Sequence, residues 1–169
     1  SLPPVVAIVA FAVIAPVAEE FIFRRLLLDR VRIFGDGAAI LIGGAAFGLF
    51  HGNLNQTLYA FVLGAVFSAI VLLTNRLRYT IGIHMLINGI SVLTTLVESD
   101  LLDYLLACVI LFSICFSVVL FFVRRKHYTL EPGPLPFSRA EKAHACFTSP
   151  WVWILLVGGL AYSGVSIFL

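Results

Sequence analysis

The sequence predicts an all-α, polytopic transmembrane helix bundle of about six spans. Three observations carry that prediction. The 169 residues are 61% hydrophobic and only 12% charged, with a mean hydropathy of +1.07, whereas an ordinary soluble domain carries roughly 25% charged residues. The apolar residues fall into runs of about twenty, the length that crosses a bilayer. The eleven Lys and Arg all lie in the segments after the first, third and fifth runs, the alternation expected when basic loops stay on the cytoplasmic side.

Taken in order, the first span runs from about Pro3 to Phe23. Arg24, Arg25, Asp29, Arg30 and Arg32 continue it as a charged stretch that ends at the turn signal Gly35-Asp36-Gly37. The second, about Ala38 to Gly52, is short and rich in small residues, which suits close helix packing in lipid. A polar turn, Asn53 to Gln56, leads to the third span, about Thr57 to Thr74. The basic loop Asn75 to Tyr79 precedes the fourth, about Thr80 to Val97, and an acidic turn holding Glu98, Asp100 and Asp103 precedes the fifth, about Leu101 to Val123.

Residues 124–150 form the one long loop. It opens with Arg124-Arg125-Lys126-His127, and Pro132, Pro134 and Pro136 predict an extended or irregular path. The sixth span, about Trp151 to Leu169, starts with two Trp at interface level. Residues 3–97 thus make a four-span core, and residues 98–169 add two spans joined by a basic, Pro-containing cytoplasmic loop. The absence of an initiator Met at Ser1 points to a fragment lacking upstream residues.

Composition also narrows function. A chain this apolar leaves no room for an extramembrane catalytic domain, and no basic stripe suggests nucleic acid. Cys108, Cys115 and Cys146 lack the C-x-x-C spacing of metal or redox sites and read as buried thiols packing as small hydrophobes. His127 and His144 are loop residues without an assigned role. A transporter or proton relay would need polar groups at several depths, and the third, fifth and sixth spans offer essentially none.

The polar groups inside the core are Glu19 and Glu20, His51, and His84 with Asn88. A charged group at mid-membrane costs roughly 2.5–3.5 kcal/mol on insertion scales, so such groups face a bundle interior, pair, or do chemistry. Residues four apart share a helix face, which puts Glu20 over Arg24, Phe47 beneath His51 and His84 beside Asn88. A Glu20–Arg24 pair would neutralise both charges. Glu19, turned about 100° from that pair on a 3.6-residue helix, is the candidate general base. Taken singly, each His and Asn88 also suits an interhelical hydrogen bond.

Glu19-Glu20-x-x-x-Arg24, Phe47-x-x-x-His51 and His84-x-x-x-Asn88, in this order on successive apolar segments, resemble the three motifs of the CPBP family. That family comprises the CAAX-processing type II prenyl endopeptidases and bacteriocin-immunity proteins. The resemblance covers about residues 3–97. It implies an intramembrane endopeptidase of the bacterial inner membrane, with a cavity opening to the cytoplasm and a membrane-associated or lipidated peptide or protein as substrate. By the same resemblance Glu19 and His51 activate a water, His84 and Asn88 stabilise the oxyanion, and Glu20, Arg24 and Phe47 shape the site.

No Ser or Cys occupies a matching motif, so a covalent acyl-enzyme is not expected. Glu19, His51 and His84 could form a three-ligand zinc set, but H-E-x-x-H is absent, and the resemblance favours a metal-free, glutamic-type protease. The alternative within the same fold is a non-catalytic scaffold of the immunity type, whose polar cluster only holds helices together.

Overall fold

A computed structural model of the chain describes residues 3–52, 54–97, 99–109 and 125–150, with positions 112, 123, 153, 157 and 158. Among them the regular structure is entirely helical, with no strand. Helix α1 spans Pro4–Phe34. At 1.5 Å per residue its 31 residues reach about 45 Å, longer than the roughly 30 Å of hydrocarbon in a bilayer, so its arginine-bearing end extends beyond the apolar layer. Two stretches within it, Ile8–Ile14 and Phe21–Leu27, run in π register.

The predicted turn is tighter than a Gly-Asp-Gly loop. Gly35 alone leaves the helical path, at φ +94°, a conformation that a side chain would strain. Asp36 and Gly37 already belong to α2, Asp36–Phe50. With 15 residues α2 reaches about 22 Å, too short to cross the hydrocarbon. Helix α3, Leu54–Thr74, starts inside the stretch expected to be a polar turn, and α4 follows at Leu77–Leu96. Between them Asn75 adopts φ +52°, which its short polar side chain tolerates. Helices α1, α3 and α4 are long and apolar enough to span a membrane.

Beyond α4, residues 100–109 are helical, starting beside the Ser99 hydroxyl, which accepts from the Leu102 N–H at 3.4 Å. Most of the expected fifth span, and Cys115 with it, lies outside the described residues, as does most of the sixth. Cys108 corrects one expectation: its thiol is free, but exposed. It sits on the outer face of an apolar helix, where in a membrane protein the solvent is lipid.

The 124–150 segment is not irregular throughout. Arg125–His127 forms a 3-10 turn and Arg139–Thr148 is a helix, α5, which contains His144 and Cys146. The signal for α5 is Ser138-x-x-Glu141. The Glu141 N–H donates to the Ser138 hydroxyl and the Ser138 N–H donates to the Glu141 carboxylate, a capping box that outweighs the three prolines because all of them precede it.

The chain forms two compact units, Ser1–Glu19 with Ile81–Thr129 and Glu20–Thr80 with Leu130–Leu169. In the second, α2 and α3 pack with almost no gap. A Cβ on Gly48 would lie 2.7 Å from the Thr57 carbonyl, and one on Gly44 would lie 2.9 Å from that of Phe61. The small residues of α2 therefore serve backbone approach, as their composition predicts. Phe23 of α1, Phe47 of α2 and Ala60 of α3 form the apolar core of this unit.

At the other end of the same unit, the segment after residue 130 is tied to the α1–α2 turn. The Asp36 N–H donates to the Glu131 carbonyl and the Glu131 N–H donates to the Asp36 carboxylate, both at 3.0 Å. Arg32 Nε bonds the second oxygen of Asp36 at 2.9 Å, Lys142 Nζ donates to the Phe34 carbonyl, and Phe137 packs on Phe34. This unit buries Glu20, Arg24, Asp36, Ser68 and Thr80 while Leu58, Val62 and Val66 stay on its surface. A polar interior under an apolar exterior is the distribution that lipid requires.

Candidate active site

In the second unit, Glu20 and Arg24 meet as their i, i+4 spacing predicts. Arg24 Nε lies 3.4 Å from Glu20 Oε2, and both side chains are fully buried. Two charges so deep are tolerated only because they neutralise one another and because the guanidinium has further partners. Its carbon lies 4.9 Å from the ring centroid of Phe47 and 5.9 Å from those of Phe23 and Phe67, within cation–π range of all three. Phe47 is therefore a wall of the Arg24 chamber as well as the residue one turn before His51.

His51 follows the last residue of α2. Its Nδ1 lies 2.8 Å from the Phe47 carbonyl, and its ring packs edge-on against Phe47 at 4.8 Å. A carbonyl can only accept, so the contact requires the proton on Nδ1. In the neutral ring that leaves Nε2 as the acceptor, the form an imidazole needs in order to hold or deprotonate a water.

In the first unit, Glu19 and His84 face each other. Glu19 Oε2 lies 3.8 Å from His84 Nε2, with His84 buried and the Glu19 side chain 18% exposed. The distance suits an ion pair or a bridging water and exceeds a direct hydrogen bond. One turn along α4, Asn88 Nδ2 donates to the Phe11 carbonyl of α1 at 3.0 Å. Glu19, His84 and Asn88 thus belong to one unit, and Glu20, Arg24, Phe47 and His51 to the other.

The sequence reading missed three participants. Phe23 and Phe67 complete the aromatic surround of Arg24, and the Phe11 carbonyl receives Asn88. Phe23 was legible as the neighbour of Arg24. Phe67 was not, because nothing in an apolar helix marks which of its rings faces a cation.

Glu19 and His84 present a carboxylate and an imidazole to one small volume, a pairing that can take and return a proton. Among the described residues there is no group of three or more His, Cys, Asp or Glu side chains placed to share a metal ion.

The profile of the family described as type II CAAX prenyl endopeptidase Rce1-like matches residues 1–90, a stretch that contains every candidate site residue. A curated relative, the membrane-embedded CAAX protease MroQ of Staphylococcus aureus (strain USA300), is 30% identical over 98 residues, covering 54% of this chain and 40% of that protein. The chain thus spans well under half the length of that relative. No solved structure matches.

Proposed function

The chain belongs to the Rce1-like type II CAAX prenyl endopeptidase family, and from that premise we propose that it is an intramembrane endopeptidase that hydrolyses a peptide bond in a membrane-associated or lipidated substrate. The observation that carries this reading is the Glu19–His84 pair, an acid and an imidazole 3.8 Å apart on two membrane helices.

In the proposed reaction Glu19 takes a proton from a water whose oxygen attacks the scissile carbonyl carbon, and the family resemblance assigns His51 to the activation of that water. The carbonyl oxygen becomes an oxyanion stabilised by donors from His84 and Asn88. Collapse of the tetrahedral intermediate breaks the C–N bond, and Glu19 returns its proton to the leaving amine. Glu20, paired with Arg24, stays out of the proton transfer and fixes the helix that bears Glu19. The proposed reaction is metal-free and of the glutamic type, consistent with the absence of H-E-x-x-H. The site opens towards the cytoplasm of a bacterial cell, the side on which the basic loops are retained.

The test compares the membrane peptides that accumulate with the wild type and with Glu19→Ala. Loss of cleavage in a variant that stays folded in detergent, with wild-type activity unaffected by a chelator, is the expected result. Cleavage that survives Glu19→Ala removes this carboxylate from the mechanism. The second reading, a non-catalytic scaffold of the immunity type, is favoured by the Asn88 bond to the Phe11 carbonyl, which holds two helices together. It predicts that Glu19 and His84 substitutions lower Tm but leave the cellular phenotype intact wherever the protein folds.

A further inference from the structure

Helix α1 changes register just before Pro16, and the change leaves one carbonyl for another helix to satisfy. The stretch Ile8–Ile14 is in π register, whose characteristic bond reaches five residues back, and the Ala15 N–H that closes it bonds the Ala10 carbonyl. The next donor in that register, the one that would meet the Phe11 carbonyl, belongs to residue 16. Pro16 has none. In ordinary α register the Ala15 N–H would serve Phe11, but it is committed to Ala10.

The wide register itself has a cause in Pro16, whose ring would otherwise press on the carbonyl four residues back. Pro16 is fully buried, so the distortion cannot be relieved towards solvent. Carbonyls freed by proline in a membrane helix are satisfied by neighbouring helices, and here Asn88 Nδ2 supplies the donor at 3.0 Å.

We propose that Pro16 is a positioning residue for the reaction: by withholding a backbone N–H from Phe11 it recruits the Asn88 amide, and so fixes the orientation in which Asn88 meets the oxyanion. The amide nitrogen carries two hydrogens. One is anchored on Phe11, and the other is thereby preorganised instead of free to rotate away. Glu19 follows Pro16 by three residues and His84 precedes Asn88 by one turn, and all belong to the same unit, so the bond also ties together the two stretches that carry the acid and the imidazole. The catalytic consequence rests on the oxyanion role proposed above for Asn88.

The test is Pro16→Ala in the full chain, assayed on the peptide whose cleavage depends on Glu19. The restored N–H competes for the Phe11 carbonyl and releases Asn88. The expected result is a fall in kcat of about tenfold or more, towards the roughly 10²–10³ lost when an oxyanion donor is removed, with KM unchanged. Tm should not fall, since Ala suits a helix interior better than Pro. A second variant replaces residue 16 by the α-hydroxy analogue of alanine, whose ester link has no N–H, and it should keep near-wild-type kcat. Independently of activity, Asn88→Ala should lower Tm in the wild type and much less in the Pro16→Ala background.

Wild-type kcat in a folded Pro16→Ala protein overturns the inference, as does an ester variant as impaired as the alanine one. If Pro16→Ala does not fold, the ester variant decides, and its inactivity overturns the proposal. If the wild type cleaves nothing in a Glu19-dependent way, the protease reading fails and takes the catalytic consequence with it. The Tm comparison then judges the proline-to-asparagine link separately, and equal losses in both backgrounds overturn that too.

Discussion

The fate of Arg24 shows how much one residue depends on its surroundings. A guanidinium with 1% exposure is held where it lies by partners that include the Glu20 carboxylate at 3.4 Å and the rings of Phe23, Phe47 and Phe67. Removing one partner of a buried pair leaves an uncompensated charge, at a cost of about 3–5 kcal/mol. Arg24→Ala should therefore lower stability by about that amount, while Glu20→Gln combined with Arg24→Met, which removes both charges and keeps bulk, should restore much of it; thermal unfolding in detergent measures both. A double variant no more stable than Arg24→Ala would show that the rings, not the charge balance, dominate. The i, i+4 spacing made the Glu20–Arg24 pair legible from sequence. The π-face of Phe67 required coordinates.

At the scale of elements, the contrast between α2 and α5 is instructive. Helix α2 was legible as a closely packing helix because Gly44 and Gly48 are a compositional signal in an apolar run, and both meet the α3 backbone. Helix α5 was overlooked because three prolines dominate the segment, although Ser138 and Glu141 mark its start. The Ser138 hydroxyl and then the Ser138 N–H hold the Glu141 carboxyl below the usual carboxylate range. A carboxyl depressed in the folded state stabilises it at pH values above its unfolded pKa, and that contribution is lost as pH falls through the lower, folded value. The α5 cap should thus stay closed at neutral pH and open only in acid. Amide exchange at Ser138 and Glu141 followed against pH checks this, and protection that does not fall in acid would dissociate the cap from the carboxylate.

For the molecule as a whole, the distribution of charge makes a prediction that helix packing does not. All Lys and Arg belong to the segments on one proposed side, whereas the turn near Ser99 has none. Single cysteines placed at Leu77 and at Ser99, in a chain whose three native cysteines are replaced, should react with an impermeant thiol reagent from opposite faces of the membrane. Labelling of both from one face would break the alternation on which the cytoplasmic opening depends.

Sequence alone determined the all-α membrane class, the placement of the first four helices to within a few residues, and the pairing of Glu20 with Arg24, because hydropathy and helical spacing are local properties that a chain carries before it folds. Only the tertiary structure decided that Asp36 is tied to Glu131, that Phe67 faces Arg24 and that Asn88 answers the carbonyl freed beside Pro16. Each of these joins residues far apart in the chain. Their geometry is set by how whole helices lie against one another, information that no window of neighbouring residues contains.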